Sequence, residues 1–260
     1  MIPRWPPREP AARGYTGAGM GRHRGAHPED LRLFDKTQLK RLRPAAEEIV
    51  WLLGRGYPLA TATEVVGNHH QLEARQRVAL GRALCSPEQR KKRAARAIER
   101  TAARGRTILI DGFNLIITVE VALSGGLILD CADGTVRDLA GLGGSYRSVD
   151  ETDGALDLIG RELAALGPAG VRIFLDAPVS NSGPLRARID EVASRWPIPV
   201  DCEVVPNPDA ILARADNVVT SDSAVLDRCG SWLNLGRFVL DRHVAAAWRS
   251  GTLVAATVYD

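Results

Sequence analysis

The sequence lacks any apolar run long enough to cross a bilayer. Its longest apolar stretches are strand-sized and are interrupted by Gly, Asp or Arg. A membrane span requires roughly 18 to 20 such residues. Residues 1–28 contain Arg and Pro but no apolar core of the kind found in secretory signals. These absences predict a cytoplasmic protein without a membrane partner.

The sequence is also poor in cysteine. Its four cysteines lie far apart and form no C-x-x-C pair, which argues against a zinc knuckle and against a disulfide scaffold. We therefore expect small buried hydrophobic side chains at Cys85, Cys131, Cys202 and Cys229.

Lysine is confined to the first part of the chain, where all four lysines lie before residue 93. Residues 1–106 contain 22 Lys and Arg against 10 Asp and Glu, whereas residues 107–260 contain 12 against 21. A basic part joined to an acidic part can bind a polyanion with the first and a metal ion with the second. The alternative is that the two parts attract each other within one molecule.

Local composition divides the chain into three segments. Residues 1–28 are rich in Pro, Gly and Arg and lack periodicity, which predicts a disordered tail. Residues 29–105 have apolar residues at three- and four-residue spacing, broken by GYP, which predicts an all-α basic module. Residues 106–260 alternate between strand and helix signals, which predicts an α/β domain with a parallel sheet covered on both faces.

Within the helical module, Ser86 and Pro87 are the start signal of a helix that we expect to end at Gly105. The short helices around GYP and GNHHQ fit a helix-turn-helix as well as an ordinary bundle. His69 and His70 are expected to serve a turn, a cap or a phosphate contact, since neighbouring helical side chains point about 100° apart and rarely share a metal ion. The predicted nucleic-acid contacts are Arg75, Arg77, Arg82, Arg90, Lys91, Lys92, Arg93 and Arg96.

Strand-like runs in the third segment end in aspartates. TILI precedes Asp111, VRIFL precedes Asp176 and NVVTS precedes Asp222. LILDC and TVRDLAG flank an Ala-Asp-Gly turn and predict a β-hairpin. Residues 232–240 are expected to form short strands or connections, and residues 242–251 a closing helix.

These aspartates are candidates for a shared metal site. A parallel sheet gathers the carboxyl ends of its strands along one edge, so Asp111, Asp176 and Asp222 can converge there. Asp209 adds a fourth acid at the start of a short helix, and hard carboxylate oxygens favour Mg²⁺ or Mn²⁺ over zinc. For any single aspartate, the alternative is a capping or turn role.

Two resemblances to known families support this interpretation. The segments IDGFNLI, FLDAP, NPDAI and VVTSDS resemble the successive motifs of the PIN-like nucleases, most closely the NYN branch. The segment RGYPLATATEVVGNHHQLEARQRVAL resembles the uncharacterised family called domain of unknown function 434, which commonly precedes such a domain. The first resemblance implies a three-layer PIN-like domain over residues 106–260. In it, metal is bound by Asp111, Asp176, Asp209 and Asp222, with Asn114 and Ser221 as supporting polar residues.

The chain departs from the PIN-like pattern in two places. Family members often have a second acid close to the one at Asp209, whereas Ala210 and Ile211 follow here. The hairpin looks inserted relative to a minimal PIN-like domain, and its Asp130 or Asp133 could supply a missing ligand or cap the turn. Asp216 is expected to begin a strand, with a ligand role as the alternative.

The sequence thus predicts a Mg²⁺- or Mn²⁺-dependent ribonuclease, in which a metal-activated water attacks the phosphodiester and the basic helices bind phosphate. The preference for RNA comes from the resemblance. One alternative is a catalytically inactive PIN-like protein that binds RNA or DNA in a regulatory role. Another is a phosphatase for a small molecule, although the Asp-x-Asp tip of the haloacid-dehalogenase type is absent. The sequence is also compatible with a homo-oligomer or with a regulatory partner.

Overall fold

The computed structural model describes residues 22–141 and 144–254 of the chain. The first part of the described chain is all-helical, as predicted. Within these residues, no helix is both long and apolar enough to span a membrane. The helices of the first part are α1 (Asp30–Leu33), α2 (Lys36–Gly54), α3 (Leu59–His69), α4 (Ala74–Ala83) and α5 (Pro87–Arg96).

The composition predicted disorder for residues 22–28. These residues instead lie against the second part of the protein, which begins at residue 106. Arg24 forms an ion pair with the buried carboxylate of Glu120. The backbone N–H of Asp150 donates to the carbonyl of Arg22 at 3.0 Å. The rest of the predicted tail lies outside the described residues.

Helix α5 begins where the sequence predicted but ends earlier. Ser86 caps it by accepting a hydrogen bond from the backbone N–H of Gln89 at 3.1 Å, and Pro87 occupies the first turn. The helix ends at Arg96 because Ala97 becomes extended and pairs with Trp232 of the second part. The prediction of one helix to Gly105 is therefore wrong, and a short 3-10 turn covers Arg100–Ala103.

The second part combines helices with two sheets. Its strands are β1 (Thr107–Asp111), β2 (Ile128–Asp130), β3 (Val136–Asp138), β4 (Gly170–Asp176), β5 (Val200–Val205), β6 (Val218–Val219) and β7 (Arg249–Thr252). Its helices are α6 (Gly112–Leu123), α7 (Thr152–Leu166), α8 (Ser182–Ala193), α9 (Pro208–Leu212), α10 (Ser223–Leu226) and α11 (Leu235–His243). The main sheet has the order β5-β4-β1-β6, and all its strands are parallel.

The main sheet carries an apolar core on each face. Ile108 and Ile110 of β1 belong to a cluster with residues of α6, α7, α8 and α11. Leu109 of β1 and Phe174 of β4 belong to another cluster with residues of α9 and α10. This division follows from the alternation of side chains along a strand. Helices therefore cover both faces of the parallel sheet.

A smaller sheet has the order β3-β2-β7 and packs against α4 and α6. β2 and β3 form the predicted antiparallel hairpin. The closing helix predicted at 242–251 is wrong, because Arg249–Thr252 is strand β7 and pairs in parallel with β2. The prediction of strands or connections at 232–240 also fails in part, since α11 covers Leu235–His243.

The helical part and the small sheet share one hydrophobic core. Ile49, Val66 and Leu80 of the helices pack in the same cluster as Leu129 of β2 and Leu253 beyond β7. Burial of this shared apolar surface is the main force that holds the two parts together.

The four cysteines are buried with free thiols, as predicted. Burial raises the pKa of Cys85 and that of Cys202 to about 12. Both side chains therefore stay protonated at neutral pH, and they act as small apolar groups.

Candidate active site

Four aspartates from four different segments line one cleft at the carboxyl edge of the main sheet. Asp111 is the last residue of β1, and Asp176 is the last residue of β4. Asp209 lies in the first turn of α9, directly after β5, and Asp222 is the N-cap of α10, directly after β6. The cleft has a volume of about 760 Å³, and all four side chains line it. The structure thus brings together the four acids that the sequence singled out.

Asp111 is held in place by hydrogen bonds from two segments. The hydroxyl of Thr220 donates to its Oδ2 at 2.9 Å, and the backbone N–H of Asn114 donates to its Oδ1 at 3.4 Å. The next residue, Gly112, packs so tightly that a Cβ atom there would lie 3.0 Å from the carbonyl oxygen of Phe174. A glycine at this position therefore allows the strand to pass directly into α6.

The acids affect one another electrostatically. Burial raises the pKa of Asp111 to about 7; hydrogen bonds from Thr220 and Asn114 oppose the rise, and the charges of Asp209 and Asp222 add to it. Burial also raises the pKa of Asp209, and the charges of Asp222 and Asp176 add to that rise. A cation in the cleft would relieve this repulsion.

Asn114 and Ser221 connect α6 to the end of β6. The side-chain oxygen of Asn114 accepts hydrogen bonds from the backbone N–H and the hydroxyl of Ser221, both at 2.8 Å. Ser221 also accepts a bond at its carbonyl from Arg137 at 2.7 Å. Asp222 then caps α10 by accepting from the N–H groups of Ala224 and Val225. Asn114 and Ser221 therefore position Asp222 relative to Asp111.

A fifth aspartate, Asp138, lines the same cleft and was missed by the sequence analysis. It ends β3, and it accepts hydrogen bonds from the hydroxyl of Thr118 at 2.8 Å and from the N–H of Ala140 at 2.8 Å. Burial raises the pKa of Asp138, and the bond from Thr118 and the charge of Arg82 oppose the rise. The signal was present, because TVRD is another strand that ends in an aspartate.

The hairpin acids suggested as replacement ligands lie elsewhere. Asp130 forms ion pairs with Arg237 at 3.1 Å and with Arg249. Asp133 is buried and pairs with Arg93 at 2.6 Å and with Arg137 at 2.8 Å. These partners neutralise both acids, so neither replaces the acid missing beside Asp209.

Most arginines predicted to contact nucleic acid are bonded within the chain. Arg93 is only 1% exposed and pairs with Asp133 and Asp227, so it is not available to phosphate. The other internal bonds join Arg75 to Asp30, Arg77 to Leu72 and Asn68, Arg82 to Asp138 and Ala140, and Arg96 to Leu226 and Asp227. Some of the arginines of the basic part therefore bind the second part of the protein. This agrees with the alternative that the basic and acidic parts attract each other within one molecule.

The lysines of α5 remain at the surface. Lys91 is exposed, and the side chain of Lys92 is 61% exposed while it pairs with Glu88 at 2.7 Å. Arg90 precedes them and is partly buried. Arg82 of α4 lines the acidic cleft itself, together with Leu59 and Gly81 of the helical part. The cleft is thus bounded by both parts of the protein.

The cleft offers carboxylate oxygens, which suit Mg²⁺ and Mn²⁺. Among the described residues, one group of three His, Cys, Asp or Glu side chains has ligand atoms within 4.8 Å of one another. That group is Glu48, His69 and His70, and it lies outside the cleft. The cleft acids are therefore spaced too widely for three of them to share one bare ion as they stand. This spacing fits ions that keep several water ligands and bind through one or two carboxylates, as Mg²⁺ does.

Comparisons with known proteins divide the chain in a similar way. Residues 100–238 match the family described as Domain of unknown function (DUF5616), and residues 41–96 match Protein of unknown function (DUF434). The second match confirms the resemblance noted in the sequence. The chain is also similar to the Uncharacterized protein MJ0935 of Methanocaldococcus jannaschii, with 32% identity over 185 residues, which cover 71% of this chain and 88% of that protein. No solved structure matches the chain.

Proposed function

The chain belongs to the family described as Domain of unknown function (DUF5616), and we propose that it is a Mg²⁺- or Mn²⁺-dependent ribonuclease with a PIN-like domain. The observation that supports this most strongly is the convergence of Asp111, Asp176, Asp209 and Asp222 on one cleft. Asp111 and Asp222 also cap α6 and α10, but capping does not require that four carboxylates line the same cleft. Mutual repulsion at Asp111 and Asp209 also favours a bound cation.

The fold is consistent with a PIN-like assignment. The main sheet is parallel, helices cover both faces, and the acids follow strands β1, β4, β5 and β6 in turn. In this proposal Asp111, Asp176, Asp209 and Asp222 hold the metal, and Asp138 is an additional candidate. When bound, the metal would activate a water molecule and neutralise the charge on the phosphodiester.

The remaining residues of the site act by position. Thr220 and the Asn114 backbone orient the carboxylate of Asp111, and the Asn114 side chain holds Ser221 beside Asp222. Arg82 lies across the cleft and could contact a phosphate of the bound chain. Lys91 and Lys92 could then add sequence-independent contacts to the RNA backbone farther along.

The proposal is tested by cleavage of an end-labelled structured RNA in the presence of Mn²⁺. We expect the wild-type protein to cleave and Asp111→Asn to be inactive. The matched control is Asp201→Asn, the same change at an exposed position of β5 outside the cleft, which should leave cleavage unchanged. Equal cleavage by wild type and Asp111→Asn would refute the proposal.

One observation favours a second candidate, a PIN-like protein that binds RNA or DNA without cleaving it. Ala210 and Ile211 follow Asp209 where an additional acid is often found in the PIN-like pattern, and the hairpin acids do not replace it. RNA binding without cleavage at any Mn²⁺ concentration would establish this alternative.

A further inference from the structure

A second group of potential metal ligands lies on the helical part, outside the acidic cleft. Glu48 of α2 and the neighbouring His69 and His70 at the end of α3 have ligand atoms within 4.8 Å of one another. The Nε2 atom of His70 lies 3.0 Å from Oε2 of Glu48. The two imidazole rings are 5.0 Å apart at their centres and nearly perpendicular, at 88°.

The two adjacent histidines lie at the C-terminal end of α3. His69 is the last residue of α3, His70 is its C-cap, and Gln71 adopts a left-handed conformation with φ of 51°. The backbone N–H of His70 still donates to the carbonyl of Val66 at 2.9 Å, so the chain leaves the helix only after His70. The Cβ atoms of the two histidines therefore keep about the helical separation of 100°, and it is the side chains that bring the ligand atoms near each other. The sequence predicted a turn, a cap or a phosphate contact for these histidines, and His70 is indeed the C-cap of α3. A shared metal ion goes beyond that expectation.

Glu48 is brought to the histidines by the packing of α2 against α3. Its neighbour Ile49 is fully buried, as is Ala62 of α3, and both belong to one core cluster with Val66. Because the two helices are packed together, the three ligands are presented from a fixed backbone. Their side chains lie at the surface, where small rotations cost little.

We propose that Glu48, His69 and His70 bind a transition-metal ion of the zinc class. Two imidazole nitrogens and one carboxylate oxygen are typical zinc ligands, and they leave a fourth position for water or another ligand. Bonds of about 2.0 to 2.2 Å place two ligand atoms at most about 4 Å apart, so the site closes with a movement of about 1 Å. Nitrogen ligands also distinguish this site from the cleft, whose oxygens favour Mg²⁺.

A hydrogen bond between His70 and Glu48 would explain two of the three side chains without a metal. It does not require His69, whose ring is directed to the same place. The substitution His69→Gln therefore removes one proposed ligand and leaves the His70–Glu48 contact intact. The matched control is His27→Gln, the same change at an exposed histidine outside this group.

The test is a calorimetric titration of the full-length, untagged chain with Zn²⁺ in excess Mg²⁺, which occupies the oxygen sites. We expect one zinc ion per chain in wild type and His27→Gln. In His69→Gln the affinity should fall by about tenfold or more, since even residues that only support a ligand affect affinity by about 10- to 100-fold. Glu48→Gln should weaken binding in the same way and serves as a second variant if His69→Gln fails to fold.

Cobalt provides an independent readout. Co²⁺ bound at this site should give a visible absorption band that is present in His27→Gln and lost in His69→Gln. The proposal would be overturned if His69→Gln and Glu48→Gln both kept the wild-type zinc affinity and cobalt band. It would also be overturned if the wild-type protein bound no zinc. The result does not depend on ribonuclease activity, because neither titration involves RNA.

Discussion

Replacement of Asp111 by asparagine should stabilise the metal-free protein at neutral and alkaline pH. Burial raises the pKa of Asp111 from 3.8 to about 7, so the folded state binds the proton more tightly than the unfolded state. The stability of the wild type therefore falls as pH rises from about 4 to about 7. Asparagine does not titrate, so the variant is free of this loss.

The size of this stabilisation follows from the shift in the pKa of Asp111. Each pH unit between the two pKa values corresponds to about 1.4 kcal/mol, which gives an upper limit of about 4 kcal/mol above pH 7. Asp111 is partly exposed to the cleft, and screening by water reduces the figure, so we expect about 2 kcal/mol. Urea unfolding in EDTA at pH 5 and pH 8 measures it, and the difference between variant and wild type should be larger at pH 8.

Two results would contradict this reasoning. The first is that Asp111→Asn is less stable than wild type at pH 8, and the second is that the difference does not change with pH. Asp201→Asn is the control and should change stability by less than about 0.5 kcal/mol. Adding Mn²⁺ should reverse the order, because a ligand at 100 times its Kd stabilises the wild type by about 2.7 kcal/mol.

Three further predictions concern other parts of the structure. Asp133→Asn leaves two buried guanidinium groups without their shared partner and should lower the free energy of unfolding by about 3 to 5 kcal/mol in urea; a loss below 1 kcal/mol would refute the role of this network. Lys91→Gln with Lys92→Gln should reduce the salt dependence of RNA binding by about 1.4 in the log–log slope, as expected for two phosphate contacts on a single strand; an unchanged slope would exclude these lysines. Gly112→Ala places a Cβ 3.0 Å from a carbonyl of β4 and should reduce RNA cleavage and cost about 1 to 3 kcal/mol. Gly183→Ala, where a Cβ meets nothing within 4 Å, is its control and should keep full activity.

The arrangement of acids was predictable because it depends on local signals and one general rule. TILI before Asp111 and VRIFL before Asp176 indicate buried strands, and parallel strands share a carboxyl edge. Asp138 also ends a strand, but that strand is an arm of the antiparallel hairpin in the small sheet, so the rule for parallel strands does not place it at the cleft. Whether that arm lies beside the cleft depends on how the small sheet packs, which its local sequence does not specify.

Long-range contacts account for most of the other failures. Arg93 lies in a run of basic residues that suggests an exposed face, yet its partners are Asp133 and Asp227, far along the chain. The segment at Arg249 was predicted as helix and instead pairs with β2, since tertiary pairing overrides weak local propensity. No count of local charge or periodicity identifies such partners.

The most direct test of the metal-dependent ribonuclease is a single-turnover measurement with protein in excess over labelled RNA. The rate of cleavage and the affinity for RNA are measured together, in Mn²⁺ and in EDTA, for wild type, Asp111→Asn, Asp222→Asn and Asp201→Asn. We predict Mn²⁺-dependent cleavage by wild type and Asp201→Asn, and rates at least about 100-fold lower for the two cleft variants with RNA affinity retained. Equal rates for all four proteins, or no cleavage by wild type despite RNA binding, would contradict the account.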